Sequence, residues 1–301
     1  MKHLLKISDL SGQDITDILN LADQLKYELA HGIPHPRLAG KTLGMIFQKA
    51  STRTRVSFEA GMFQLGGSGL FLSSNDLQIG RGEPIEDTAR VLSRYLDGIM
   101  IRTFDQSEVE TLAEHGSIPI INGLTDYAHP CQLLADLMTI REIFTHLDGL
   151  KIAFIGDGNN VCNSTIVGCL KVGMSVAVAC PKGYEPDADV MKWSADYDFT
   201  LTTDPLEAAK DADVIYTDVW SSMGQEDDAK ARAEAFEGIY QVNSKLMIAA
   251  KDKAIVLHCL PAHREEEITA EVFEAHAAEI FEQAENRLHA QKAVMCMLME
   301  K

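Results

Sequence analysis

Short apolar runs alternate along the chain with segments of helical spacing. KTLGMIF (41–47), SGLFLSS (68–74), DGIMIRT (97–103) and IPIINGL (118–124) have the length and boundaries of strands. VSFEAGMFQLG, IEDTARVLSRY and SEVETLAEHG fall between them with helical periodicity, and a longer helical stretch runs from Pro130 to about His146. The alternation resumes at Lys151. KIAFIGD, SVAVACP, DFTLTTD, DVIYTDVW and AIVLHCL read as strands; NNVCNSTIVGCLKVG, PLEAAKDA and DAKARAEAF read as the helices between them. From about Ala270 to Lys301 the pattern is mostly helical. Repeated βα order predicts parallel sheets covered on both faces. The expected fold is α/β, with two doubly wound parallel-sheet domains joined by interdomain helices. The first covers 1–130 and is completed by the last helix, about 284–301; the second covers 147–283; a helix at 131–146 links them.

In open α/β sheets, ligands bind beyond the carboxyl ends of the strands. Directly after the first strand comes FQKASTRTRVSFEAG (47–61), with Lys49, Arg53 and Arg55 and no acid until Glu59. Ser51 or Thr52 would cap the following helix. Unpaired N–H groups and the positive end of the helix dipole would then attract an anion, and the hydroxyls and arginines add donors. The same residues fit an ordinary capped helix with solvated arginines. A Walker-type GxxxxGK[ST] is absent from the sequence.

This cationic island stands out because the whole chain is acidic. Its 301 residues carry a formal charge of −18, which argues against a nucleic-acid partner. The length suits two domains. Six cysteines without CxxC spacing, no signal-peptide pattern and no uncharged run of membrane-spanning length lead to the expectation of a cytoplasmic protein with no membrane partner.

Arg102 stands at the end of DGIMIRT. His129 and Gln132, in HPCQ, stand at another strand-to-helix junction, where Pro130 suits the first helical turn. A helix N-terminus favours a neutral imidazole, which can donate a hydrogen bond to a carbonyl oxygen without acting as an acid. A packing histidine would also explain His129. In the second half, KIAFIGDGNNV begins like a dinucleotide-binding turn. However, Val161 occupies the third glycine position, and SVAVACP does not end in the ribose-binding acid. An NAD-dependent oxidoreductase is therefore the second reading. His258 and His263 lack a usual metal spacing, and neither a metal nor a cofactor is expected.

Taken together, STRTR with SFE, LQIGRGEP with DTAR, IRT and HPCQ resemble the N-terminal half of the aspartate/ornithine carbamoyltransferase family. GDGNN, TDVWSSMG, HCLP and AENRLHAQKAVM resemble the ornithine branch of that family, so the likeness runs from about residue 40 to the end. It implies a carbamoyl phosphate site of Ser51, Thr52, Arg53, Thr54, Arg102, His129, Gln132 and Arg287, with Gln78 supplied to a neighbouring subunit. It implies an ornithine site of Asn160, Asp218, Ser222, Met223, Cys259 and Leu260. Thr54, Arg102, His129 and Cys259 are the implied catalytic groups. The implied reaction gives L-citrulline and phosphate by direct attack of the δ-amine through a tetrahedral intermediate, within arginine metabolism. The implied assembly is a homotrimer with shared sites, or trimers in larger assemblies. A non-catalytic carbamoyl phosphate binder is a third class. One departure is local: Glu265 stands where the family pattern has a small residue, often Gly, in the loop that closes over ornithine.

Overall fold

The structure, a computed structural model, describes residues 1–221 and 229–300. The chain divides into two compact units. One comprises Met1–Met138 with Asn286–Lys301, and the other comprises Thr139–Glu285.

In the first unit, α1 (Gly12–Ala30) precedes β1 (Thr42–Phe47), α2 (Thr52–Gln64), β2 (Ser68–Ser73), α3 (Ile85–Leu92), β3 (Gly98–Arg102), α4 (Gln106–His115), β4 (Ile120–Leu124) and the start of α5 (Pro130–Phe144). The four strands are parallel, in the order β2-β1-β3-β4. β3 is buried along its whole length, which explains its unbroken apolar run. Ile46, Ile99 and Ile101 are fully buried in one cluster with Val109 and Leu112 of α4. Each such side chain contributes about 1.5–3 kcal/mol, and truncating Ile101 to Ala would cost about 2–5 kcal/mol.

α1 lies ahead of the first element read from the apolar pattern. Its signal is a capping box: Asp14 N–H donates to Ser11 Oγ at 3.0 Å, and Ser11 N–H donates to Asp14 Oδ2 at 2.8 Å. Ile15, Ile18, Leu19, Ala22 and Leu25 then form its buried stripe.

In the second unit, β5 (Lys151–Ile155), α6 (Asn160–Lys171), β6 (Ser175–Ala179), α7 (Ala188–Ser194) and β7 (Phe199–Thr202) run outward to one side. α8 (Pro205–Ala209), β8 (Val214–Thr217), α9 (Ala229–Phe236), α10 (Ser244–Met247) and β9 (Ile255–His258) run to the other, followed by α11 (Ala270–Ala275) and α12 (Ala277–Met299). This sheet is also parallel, in the order β7-β6-β5-β8-β9. Its core gathers Ile155, Ile215 and Val256 of the strands with Phe236, Leu246 and Phe273 of the covering helices.

Each strand order reverses once. In the first sheet the reversal lies between β1 and β3, and in the second between β5 and β8. These switch points are where an open α/β sheet leaves room for a ligand. STRTR and Arg102 flank the first, and GDGNN and Asp218 flank the second.

Candidate active site

At the first switch point, Ser51 caps α2 and accepts from Thr54 N–H at 3.2 Å. The helix starts at Thr52, so the STRTR amides face the anion-binding end of α2. The cations of the island have separate duties. Lys49 is buried, paired with Asp126 and 4.2 Å from the centre of the Phe104 ring. It is thus a strut between loops. Arg55 pairs with Glu59 at 3.1 Å and lies 3.8 Å over Phe71. Of the three, Arg53 is the one whose charge acts on His129.

Around Thr54 the expected residues converge. Arg287, on α12, donates to Gln132 Oε1 at 2.8 Å and to Thr54 Oγ1 at 3.3 Å. Its Nε donates to Gln291 at 2.8 Å, and Gln291 in turn donates to Ser57 at 2.7 Å. Gln132 donates to Asp136 at 2.8 Å, which fixes which end of its amide faces Arg287. Thr54, Arg102, His129, Gln132 and Arg287 are all buried. The His129 pKa lies well below 6.5, chiefly through burial and then through the charges of Arg287, Arg102 and Arg53. The imidazole is therefore neutral at neutral pH, but burial and three arginines achieve this, where the sequence pointed to the helix dipole. Gln78 lies apart on the connection from β2 to α3, and its side chain is exposed.

At the second switch point, a residue missed in the sequence does the local work. Asn159 caps α6, accepting from Val161 and Cys162 N–H at 3.0 and 3.1 Å, while its Nδ2 donates to Asp218 Oδ2 at 2.8 Å. Asn160, the residue expected to matter, is the first of α6 and half-buried. An N-cap followed by a buried apolar helix is a readable signal, and would have picked out Asn159. Asp218 is buried; its Oδ1 accepts from Val219 N–H at 2.8 Å and from the Cys259 thiol at 2.9 Å. Ser222 and Met223 lie outside the described residues.

HCLP follows β9. Leu260 takes φ +61, a conformation costly for a branched side chain, and a cis peptide joins it to Pro261. Leu260 N–H donates to His258 Nδ1 at 2.9 Å, so the ring proton sits on Nε2, which meets Glu267 Oε1 at 2.9 Å. Glu267 also accepts from His263 N–H at 2.6 Å, and Gln283 accepts from His258 N–H at 2.9 Å. This buried network holds the turn that presents Cys259. It also brings together groups that showed no metal spacing in sequence. Asp218, His258 and Cys259, and separately His263, Glu266 and Glu267, offer ligand-type atoms within 4.8 Å of one another. Both ring nitrogens of His258 are already engaged, so the first group is built as a hydrogen-bonded network.

The glycine turn after β5 is filled by the chain itself. Gly158 N–H donates to Tyr184 O at 2.9 Å, and a Cβ at Gly158 would lie 2.3 Å from Pro186 N. In a dinucleotide fold that close approach belongs to a pyrophosphate. Here residues 184–186 take it, which removes the basis of the oxidoreductase reading.

One unit holds a cationic helix N-terminus and a neutral buried histidine, and the other holds a buried carboxylate that accepts from a thiol. A family model described as "Aspartate/ornithine carbamoyltransferase, carbamoyl-P binding domain" matches residues 2–142, and one described as "Asp/Orn binding domain" of the same enzymes matches 148–298. The chain is 56% identical to an ornithine carbamoyltransferase of Carboxydothermus hydrogenoformans over 306 residues, covering 99% of this chain and 97% of the relative. It is 55% identical to that of Bacillus subtilis over 306 residues, covering 100% and 94%. The solved ornithine carbamoyltransferase of Pyrococcus furiosus superposes with a TM-score of 0.94 at 51% identity, covering 99% of this chain and 97% of that one. The chain belongs to the aspartate/ornithine carbamoyltransferase family, and it is a carbamoyltransferase.

Proposed function

We propose that this carbamoyltransferase acts on L-ornithine in arginine metabolism, moving the carbamoyl group of carbamoyl phosphate to the δ-amine and releasing L-citrulline and phosphate. Ser51, Thr52, Arg53 and the first amides of α2 hold the phosphate. Thr54, Arg102 and neutral His129 donate to the carbamoyl oxygen as it becomes negative; one such donor is typically worth about 3–4 kcal/mol. Gln132 and Arg287 orient the carbamoyl end. The neutral δ-amine attacks the carbamoyl carbon, a C–N bond forms, the C–O bond to phosphate breaks, and the one proton the amine sheds leaves on the departing phosphate. No covalent enzyme intermediate is formed. Cys259 gives its own proton to the hydrogen bond with Asp218, so its sulfur can accept an amine N–H. Asp218, with Asn160, Ser222, Met223 and Leu260, binds the amino-acid substrate.

The observation that supports an α-amino-acid acceptor is Asp218: a buried carboxylate, oriented by Asn159 and touched by the Cys259 thiol, is a countercharge for an α-ammonium. Replacing Asp218 with Asn should lower kcat/KM for ornithine by at least about tenfold, the loss of one charge-assisted hydrogen bond. Carbamoyl phosphate affinity should stay close to that of the parent. Equal losses for both substrates contradict the assignment.

The proposal includes a cytoplasmic homotrimer, alone or in larger assemblies, with Gln78 reaching a neighbour's site. It is supported by exposed apolar side chains on the edge strand β2 (Leu70, Phe71) and on α2 (Val56, Phe63). None of the six cysteines is joined in a disulfide, which suits a reducing compartment. No helix among the described residues is long and apolar enough to cross a membrane.

A further inference from the structure

Beside Asp218 lies a second buried carboxylate that the mechanism above does not use. Asp157, in the turn after β5, pairs with Arg232 of α9 at 2.9 Å; their side chains are 7% and 12% exposed. The same guanidinium nitrogen donates to Trp220 O at 2.9 Å, two residues beyond Asp218. The guanidinium also lies 5.0 Å from the centre of the Tyr184 ring, on the segment that packs against Gly158. Tyr184 and Trp220 both pack on Phe236 of α9, at 5.0 and 5.9 Å between ring centres. Arg232 thus ties the β5 turn, the β8 turn and the segment after β6 to one helix.

We propose that Arg232, acting through Asp157 and the Trp220 carbonyl, is a positioning residue that also sets the charge of the amine site. It cancels one of two neighbouring buried carboxylates and leaves Asp218 as the single negative charge met by the substrate. This rests on the reading of Asp218 as the ammonium partner. The charge matters because the attacking amine must be neutral. A second, uncompensated carboxylate would stabilise the protonated δ-ammonium and raise its pKa, so that a higher pH would be needed for attack.

The groups facing Asp157 allow this reading. Arg232 and Asp218 carry the charges. Cys162, on α6, and Cys180, after β6, also face it, and burial pushes both thiols up, Cys180 to about 12, so they are neutral. Burial raises the Asp157 carboxyl to about 6, with Arg232 pulling down and Asp218 adding to the rise. Loss of Arg232 leaves this carboxyl without its cation, so on the part of the limb above its own titration it is the uncompensated charge that the amine meets.

The test is the pH profile of kcat/KM for ornithine in Arg232→Gln, Arg232→Lys, Asp157→Asn and the double variant Asp157→Asn/Arg232→Gln. In Arg232→Gln the acid limb should move up by about one pH unit, a loss of about tenfold at a fixed pH on that limb. The KM for carbamoyl phosphate should stay near the parent value, which also reports a folded first unit. Arg232→Lys should retain the parent profile in large part. The double variant should bring the limb back, because it removes the charge that Arg232 compensates. Asp157→Asn alone, nearly isosteric, should move the limb down. An unmoved limb in Arg232→Gln, or a double variant no better than the single one, overturns the inference; should Arg232→Gln not fold, an unmoved limb in Asp157→Asn does so. If the parent enzyme makes no citrulline from ornithine, the substrate reading fails instead, and the two failures are thereby distinguished.

Discussion

Arg287 donates to Gln132 Oε1 at 2.8 Å across 155 residues of chain, bringing the last helix onto the strand-end cradle of the first unit. The same guanidinium reaches Thr54 Oγ1. The proposed carbamoyl phosphate site therefore draws in a residue far along the chain from its other proposed members. Arg287→Gln is expected to weaken carbamoyl phosphate binding by roughly 10- to 100-fold, the equivalent of about 1.5–3 kcal/mol for a charge-assisted hydrogen bond. Titration calorimetry with carbamoyl phosphate checks this, with Arg53→Ala alongside. Affinities unchanged in both variants would remove the cradle.

Glu265 explains itself in the structure. Its φ is +70, in the left-handed region where a small residue, above all Gly, is at ease. The side chain offsets the strain: Oε1 accepts from Ala270 N–H at 2.8 Å at the start of α11. Glu265→Ala keeps the strain and loses the acceptor, so stability should fall by about 1 kcal/mol, the usual value of a helix cap. Glu265→Gly should be nearly neutral, because relief of about 1–2 kcal/mol of left-handed strain offsets the lost cap. Thermal melts of the three proteins give the order. A Gly variant less stable than the Ala variant would contradict it.

Two buried groups in the first unit make stability depend on pH. Lys292 donates to Gln64 Oε1 and meets His35 Nε2, each at 3.0 Å, and burial pulls its pKa from 10.5 to about 8. Between those values the unfolded chain holds a proton that the folded chain has released, so stability rises with pH across that window. Burial, with the charges of Lys292, Lys26 and His35, pulls His289 from 6.5 to about 3. There too the unfolded chain binds the proton more tightly, so stability falls as pH drops from 6.5 toward 3. Melting temperatures across both windows should show these slopes. Lys292→Met should flatten the alkaline one and His289→Gln the acid one. Slopes unchanged in the variants would contradict the assignments.

Strands buried on both faces, such as GIMIR of β3, were legible because they read as plain apolar runs. STRTR and HPCQ were legible as local strand-to-helix junctions. α1 was missed although its signals are in the sequence, a capping box at Ser11 and Asp14 and an apolar stripe at helical spacing, because it lies ahead of the apolar runs that mark the strands. The split within the cationic island was not legible, because Lys49 and Arg55 are drawn away by Asp126, Phe104, Glu59 and Phe71, partners that only folding supplies. GDGNN offers two asparagines; the buried apolar helix after them marks Asn159 as the cap, but its second bond, to Asp218, joins residues 59 apart that only folding brings together. The supporting pairs Asp157–Arg232 and His258–Glu267 join residues whose spacing matches no motif.

The central claim is that the amine accepted by this carbamoyltransferase is L-ornithine. A colorimetric assay for the ureido product, run with carbamoyl phosphate and L-ornithine, putrescine, N-acetylornithine or L-aspartate side by side, tests it most directly. Product formation with L-ornithine, at a kcat/KM far above that for the other three amines, is the predicted result. Activity confined to putrescine, N-acetylornithine or aspartate would contradict it.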